Sequence, residues 1–377
     1  MAGDRAERES AERPRVLQVV LSLAPGGTER LVVELVRRLA AQTRQAVCCL
    51  DEAGLWGEAL RADGVPLQVL SRQPGFHPAL AIRLARAAAM VGARVLHCHQ
   101  YSPFVYGALA RLRRPGLRLV FTEHGRLTDA PPSARRRLVN PLLARAAERI
   151  AAVSGELQDH MVAEGFPPSR IEVVHNGIEV GPLPSGAERA VVRSQLGVPP
   201  STLVVATIAR LDPVKDLETL LEALRSPALG TREILAIVIG DGTERERLAW
   251  RAAALGVTQR VRFLGHRDDA RAWLAGVDVY VNSSVSEGVS LTVLEAMAAG
   301  LPVIATSVGG TPEVVTPECG RLVPARDGRR LAGALAELAG DEALRRRLGR
   351  SARARVEAEF TIDRMVDRYL QMYRGNR

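Results

Sequence analysis

The run Ser286-Glu287-Gly288-Val289-Ser290-Leu291-Thr292-Val293-Leu294-Glu295-Ala296-Met297-Ala298 concentrates the chemistry of this 377-residue chain. Ser290 stands where a helix would be capped, which leaves the amides of Leu291 and Thr292 free at a helix start. Such amides, with the helix dipole, bind phosphate. Glu295 falls in the second turn, inside an otherwise apolar stretch, where a charged carboxylate is costly unless hydrogen-bonded. The vicinal hydroxyls of a ribose are natural donors to it. Glu287 lies on the preceding loop, where it can face a sugar. Either glutamate alone reads as an ordinary surface or helix-face charge. The pair beside a phosphate-capable helix start reads as a ligand site.

A second cluster is Ala209-Arg210-Leu211-Asp212-Pro213-Val214-Lys215-Asp216, between an apolar strand and a helix. Arg210 and Lys215 can converge there on a diphosphate, the charge that builds as a sugar leaves. Lys215 is the only lysine, against 50 arginines. Its neighbours Val214 and Asp216 exclude a P-loop, and no Val-Ala-Ile-Lys strand of a protein kinase exists. Arg and Lys differ where a compact ammonium is wanted. Gly26 and Gly27 follow the first strand and let backbone approach a phosphate or sugar closely. Gly240-Asp241-Gly242 and Leu264-Gly265-His266-Arg267 follow later strands and are expected to wall a base pocket.

His99 and His124 each end a strand. His97 and His99 are taken to face opposite sides of theirs, which disfavours a zinc site. No Asp-x-Asp motif precedes Arg210 and Lys215. Arg210, Lys215 and helix amides, rather than a metal, are therefore expected to meet phosphate charge.

These residues must be held by alternating strands and helices, the pattern of parallel α/β sheets. Strands are expected at Val16–Leu21, Ala46–Leu50, Val95–His99, Leu119–Thr122, Ile150–Val153 and Glu172–His175. A second series follows at Leu203–Ala209, Ile234–Ile239, Val261–Leu264, Val277–Val281 and Pro302–Thr306. Helices are expected at Glu29–Ala40, Ala79–Val91, Leu217–Leu224 and Leu291–Ala298, with one last helix from Arg353 to Met372. Residues 179–201, rich in Gly and Pro, read as a linker containing a short helix. Two doubly wound sheets imply a cleft where strand C-termini meet a ligand. No Gly-x-Gly-x-x-Gly follows the first strand, which disfavours a dinucleotide dehydrogenase.

The two-glutamate segment resembles that of retaining nucleotide-sugar glycosyltransferases with the GT-B fold, family 4, group 1 type, of bacterial polysaccharide and glycolipid synthesis. Ala299-Gly300-Leu301-Pro302-Val303-Ile304-Ala305-Thr306, Gly309-Gly310-Thr311-Pro312-Glu313, Gly26-Gly27-Thr28-Glu29, Phe121-Thr122-Glu123-His124-Gly125 and Asn176-Gly177-Ile178-Glu179 resemble it too, in order along nearly the whole chain. The resemblance implies two facing Rossmann-like domains. Residues 14–180 would bind acceptor, 181–359 the donor, and a terminal helix of about 360–377 would pack back on the first. It implies sugar transfer with retention by front-face attack, the leaving phosphate helping to deprotonate the acceptor. Glu287 would orient the donor hexose, Glu295 the ribose, and Arg210 with Lys215 the leaving diphosphate. His124 would touch the transferred sugar and His99 line the acceptor pocket. The family often has Gly where Asp216 stands. No cofactor is implied beyond the nucleoside-diphosphate sugar, with a UDP-sugar favoured over a GDP-sugar. A nucleotide-sugar epimerase of this architecture, or a non-catalytic nucleotide-sugar-binding subunit, is the alternative.

Bulk composition fits a soluble globular chain: 47% hydrophobic, 25% charged, and only 4% aromatic, so the core must be mostly aliphatic. Cys48, Cys49, Cys98 and Cys319 lack metal-like or disulfide spacing and suit a cytoplasmic protein. Residues 1–13 read as a disordered tail. Residues 71–149 carry 14 arginines against three acids, a net +11, while the whole chain nets +9. That segment is expected to meet an anionic acceptor or the inner face of the plasma membrane. Nucleic acid is not expected, because few aromatics interleave with the arginines.

Overall fold

The computed structural model describes residues 13–125 and 133–375, so the expected tail lies almost wholly outside the described residues. Two compact units emerge. The first comprises residues 13–125, 133–175 and 363–375, the second residues 176–362.

In the first unit, seven strands form one sheet: β1 (Arg15–Val20), β2 (Arg44–Cys49), β3 (Leu67–Val69), β4 (Val95–His99), β5 (Arg118–Glu123), β6 (Arg149–Ala152) and β7 (Ile171–Val173). Their order is β3-β2-β1-β4-β5-β6-β7 and every pairing is parallel. Alternation along the strands sorts the two faces. Leu17, Val19, Leu96, Cys98, Leu119 and Phe121 enter the main core. Gln18, His97, His99 and Thr122 are equally buried on the opposite face. Tyr369 and Tyr373, from the helix Ile362–Arg374, complete that polar layer.

In the second unit, β8 (Leu203–Ile208), β9 (Ile234–Ile239), β10 (Val261–Gly265), β11 (Val279–Asn282), β12 (Val303–Thr306) and β13 (Gly320–Val323) form a parallel sheet in the order β10-β9-β8-β11-β12-β13. Its central strands are almost continuously apolar and buried, as strands covered by helices on both faces must be. Ahead of it the helix Gly186–Leu196 carries a capping box between Ser185 and Glu188 and ends on Gly197, whose φ is +61°. In both sheets the strand order reverses beside the first strand, between β1 and β4 and between β8 and β11. Open α/β sheets bind ligands at the strand C-termini of such points.

Three expectations are corrected. The stretch Arg353 to Met372 is two helices, Glu342–Glu359 and Ile362–Arg374. Between them Thr361 forms a bridge with Ile178. The Ile178 amide donates to the Phe360 carbonyl at 3.0 Å, and the Ile362 amide donates to the Ile178 carbonyl at 2.8 Å. Backbone committed to that bridge cannot continue a helical ladder. Edge strands β3 and β13 were not anticipated: they are short, only partly buried and carry polar residues. His97 and His99 share one face, because residues two apart on a strand point the same way; their ring centroids lie 4.0 Å apart.

Candidate functional site

The second unit gathers its polar residues at the β8/β11 switch point. β8 runs out at Ile208, and Pro213–Lys215 then forms a single 3-10 turn. β11 ends at Asn282, and the loop to the helix Leu291–Ala298 carries Ser283, Ser284, Glu287 and Ser290. The two loops are laced together. The Val285 amide donates to the Val214 carbonyl at 2.9 Å, and the Ser283 hydroxyl donates to the Lys215 carbonyl at 3.0 Å.

Across this seam the Lys215 ammonium meets Glu287 Oε1 at 2.5 Å. The same oxygen accepts from Ser284 Oγ at 2.6 Å and from Asn282 Nδ2 at 3.3 Å. Burial by itself would raise the Glu287 carboxyl. The Lys215 charge and the hydrogen bonds outweigh it and hold the group below the usual carboxylate range, ionised. Oε2 is not engaged in any of these three contacts. Ser284 and Asn282 were not singled out from the sequence, although three consecutive polar residues at the end of an apolar strand were a usable signal.

Gly309, at φ +53°, lies against the back of this loop. A Cβ there would strike the Glu287 carbonyl, and the neighbouring Gly310 amide donates to the Gly288 carbonyl at 3.1 Å. Thr311 Oγ1 and Asn176 Oδ1 are buried side-chain atoms of this unit without a hydrogen-bond partner, while Asn176 Nδ2 donates to the Val289 carbonyl at 2.9 Å.

Ser290 occupies the N-cap position of the helix Leu291–Ala298, but its hydroxyl does not cap it. It lies 3.2 Å from Thr292 Oγ1 instead, so the first-turn amides of Leu291 and Thr292 receive nothing from it. Glu295 sits one turn on and is buried at 3% exposure. Arg210 pairs with Asp212, and its side chain is two-thirds exposed (67%). Its side chain and that of Lys215 are each engaged by a different carboxylate.

Asp216 follows Lys215 in the left-handed region, with φ +42° and ψ +49°. That explains a preference for glycine at this position. Its carboxylate accepts from Thr219 Oγ1 at 2.6 Å.

Gly240, at φ +133°, and Gly265, at φ +72°, are joined by a 2.8 Å bond from the Gly240 amide to the Gly265 carbonyl. A Cβ on Gly240 would strike the Ala209 carbonyl. Gly240 thus lets its loop pack against the stretch that carries Arg210.

In the first unit, Gly26 precedes the helix Gly27–Leu39 with extended backbone, so its φ makes no demand for glycine. The space over Gly27 is open for 4 Å. At the β4 and β5 ends, His99 Nδ1 lies 2.9 Å from His124 Nε2 and His99 Nε2 lies 2.8 Å from Gln18 Oε1. His97 bonds Tyr373 and Thr122. Burial holds all three imidazoles below their ordinary value, His124 at about 3. His124 Nδ1 is shielded and has no partner. Glu123, beside it, is pushed up to about 8 by burial. Among the described residues no group of three His, Cys, Asp or Glu side chains could hold a metal ion.

Residues 25–181 match the model for glycosyltransferase family 4, and residues 202–341 that for glycosyl transferases group 1. A D-inositol 3-phosphate glycosyltransferase of Nocardioides sp. is 30% identical, with 99% of this chain and 93% of that protein covered. The lipopolysaccharide core biosynthesis glycosyltransferase LpsE of Rhizobium meliloti is 35% identical over 50% of this chain and 54% of its own length. Among solved structures, Anabaena Alr3699/HepE in complex with UDP-glucose superposes with a TM-score of 0.84 at 23% identity. That match covers 96% of this chain and all of that one.

Proposed function

This chain belongs to the family 4, group 1 glycosyltransferases with the GT-B fold, and from that premise we propose that it transfers a sugar from a UDP-sugar to an acceptor hydroxyl with retention of configuration. The observation that carries the reading is the Lys215–Glu287 pair at the β8/β11 switch point, beside the uncapped start of the helix Leu291–Ala298. A diphosphate seated there meets one compact ammonium and two amides at a positive helix end, which supports charge stabilisation without a metal. Arg210, exposed and within the same loop, swings from Asp212 to the phosphates. Glu287, held ionised, accepts from hydroxyls of the hexose through its second oxygen. Glu295 accepts from the ribose hydroxyls.

In this reading the acceptor hydroxyl attacks on the face from which the diphosphate departs, and a phosphate oxygen takes its proton. Lys215 and Arg210 stabilise the charge that grows on the leaving group. No protein nucleophile is required. The first unit would supply the acceptor site, with His99 lining it.

For the acceptor, the relatives' names support a phosphorylated polyol or a cell-surface glycan. Attachment to an anionic membrane is supported by the helix Ala134–Ala146, where Leu138, Val139 and Leu142 are exposed beside Arg135 and Arg137. No helix among the described residues is long and apolar enough to cross a membrane. The deciding experiment incubates UDP-glucose with and without D-inositol 3-phosphate or a lipid-linked glycan. The reading expects UDP release that depends on acceptor and an axial-retained linkage by NMR. Epimerised donor formed without acceptor would replace it with an epimerase.

A further inference from the structure

The polar layer beneath His124 is a hydrogen-bond chain whose direction is set at a fixed end. Thr43 Oγ1 donates to the Leu39 carbonyl at 2.9 Å, so its proton is committed. It must therefore accept from Gln45 Nε2, 2.6 Å away. That turns Gln45 Oε1 toward Gln18, whose Nε2 donates to it at 3.0 Å and to Tyr373 Oη at 3.0 Å. Gln18 Oε1 is thereby left facing His99 Nε2 at 2.8 Å, which must carry a proton.

A neutral His99 with its proton on Nε2 has a lone pair on Nδ1. That lone pair can only accept from His124 Nε2, 2.9 Å away. The proton of His124 is then on Nε2, and its shielded, unpartnered Nδ1 is an acceptor. We propose that Thr43, Gln45, Gln18 and His99 act as positioning residues that fix the tautomer of His124, so that its Nδ1 can only accept a hydrogen bond and cannot donate one.

A branch gives an internal control. Tyr373 accepts from Gln18 and donates to His97 Nδ1 at 2.6 Å, so His97 also carries its proton on Nε2, which donates to Thr122 Oγ1 at 2.8 Å. Tyr373 lies on the terminal helix, yet it is a side branch. Gln45 alone suffices to orient Gln18. Burial depresses all three imidazoles, which keeps them neutral near pH 7.

The test is a long-range 1H–15N correlation spectrum of the full chain labelled with 15N-histidine, at neutral pH and without donor. His97, His99 and His124 are assigned by substitution. All three are expected as single Nε2–H tautomers. Gln18→Leu should leave His124 as a mixture of tautomers, whereas Tyr373→Phe should alter His97 and leave His124 unchanged. A proton on Nδ1 of His124 in the native protein overturns the proposal, as does a His124 signal insensitive to Gln18→Leu or sensitive to Tyr373→Phe. Should Gln18→Leu fail to fold, the native and Tyr373→Phe spectra still decide. A chain that bound no nucleotide sugar would fail the previous reading while leaving these spectra as expected.

Discussion

Lys215 Nζ stands 2.5 Å from Glu287 Oε1, and this contact joins the loop after β8 to the loop after β11. The only lysine of an arginine-rich chain is thus the residue that closes the switch point of the second sheet. A guanidinium would need a wider, planar seat, and the carboxylate oxygen it would displace already accepts from Ser284 and Asn282.

Lys215→Ala is therefore expected to lower kcat by about 10²–10³-fold, the effect of losing one preorganised charge-stabilising group. Lys215→Arg should also lose most activity. Steady-state rates with saturating donor check both. Turnover of the alanine variant within tenfold of the native protein would contradict the phosphate role.

Gly309→Ala should impair the enzyme at a distance. The added Cβ meets the Glu287 carbonyl at a residue with φ +53°, so the loop must move or the backbone must strain. We expect KM for the donor to rise with a smaller loss of kcat, and the fold to survive by circular dichroism. Unchanged kinetics would show that Glu287 tolerates displacement.

Asp216 holds a left-handed backbone and a hydrogen bond to Thr219 at once. Replacement by Gly relieves the strain but removes the bond, terms of roughly 1 kcal/mol each that nearly cancel. Replacement by Ala keeps the strain and removes the bond. The glycine variant should therefore be the more stable of the two by about 1 kcal/mol in urea titrations; the reverse order would refute the strain argument.

The acid side of the stability curve should be steep. His97, His99 and His124 have depressed values in the fold, so their contribution is present above about 6.5 and is lost as pH falls through the window below it. Glu123 is raised to about 8, so it acts oppositely and favours the fold as pH falls toward its unfolded value. Three histidines against one carboxyl leave a net uptake of protons on unfolding, so stability falls with pH between roughly 4.5 and 6. Denaturant titrations across that range measure it, and a flat curve would mean the histidines are protonated in the native state.

Much of this was legible in the chain itself. Apolar runs such as Ile234–Ile239 and the helix Leu291–Ala298 were placed at their observed bounds, because burial on both faces leaves no ambiguity of pattern. Edge strands β3 and β13 were not, since an edge needs no apolar run. The glutamates and Lys215 announced themselves by type and context. The partners that orient them did not: Ser284 and Asn282 become meaningful only once two loops 70 residues apart are known to touch. Gln18, Gln45 and Tyr373 are further still from such reading, because their shared face depends on strand order and on the return of the terminal helix.

The switch point of the second sheet is expected to bind a nucleoside diphosphate through Lys215. Calorimetric titration of UDP, with GDP and ADP as comparisons, into the native protein and Lys215→Ala measures that directly. UDP should bind the native protein more tightly than GDP or ADP, and the substitution should weaken it at least tenfold, about 1.4 kcal/mol. Equal affinity of the two proteins for UDP, or no binding of any diphosphate to the native chain, would contradict it.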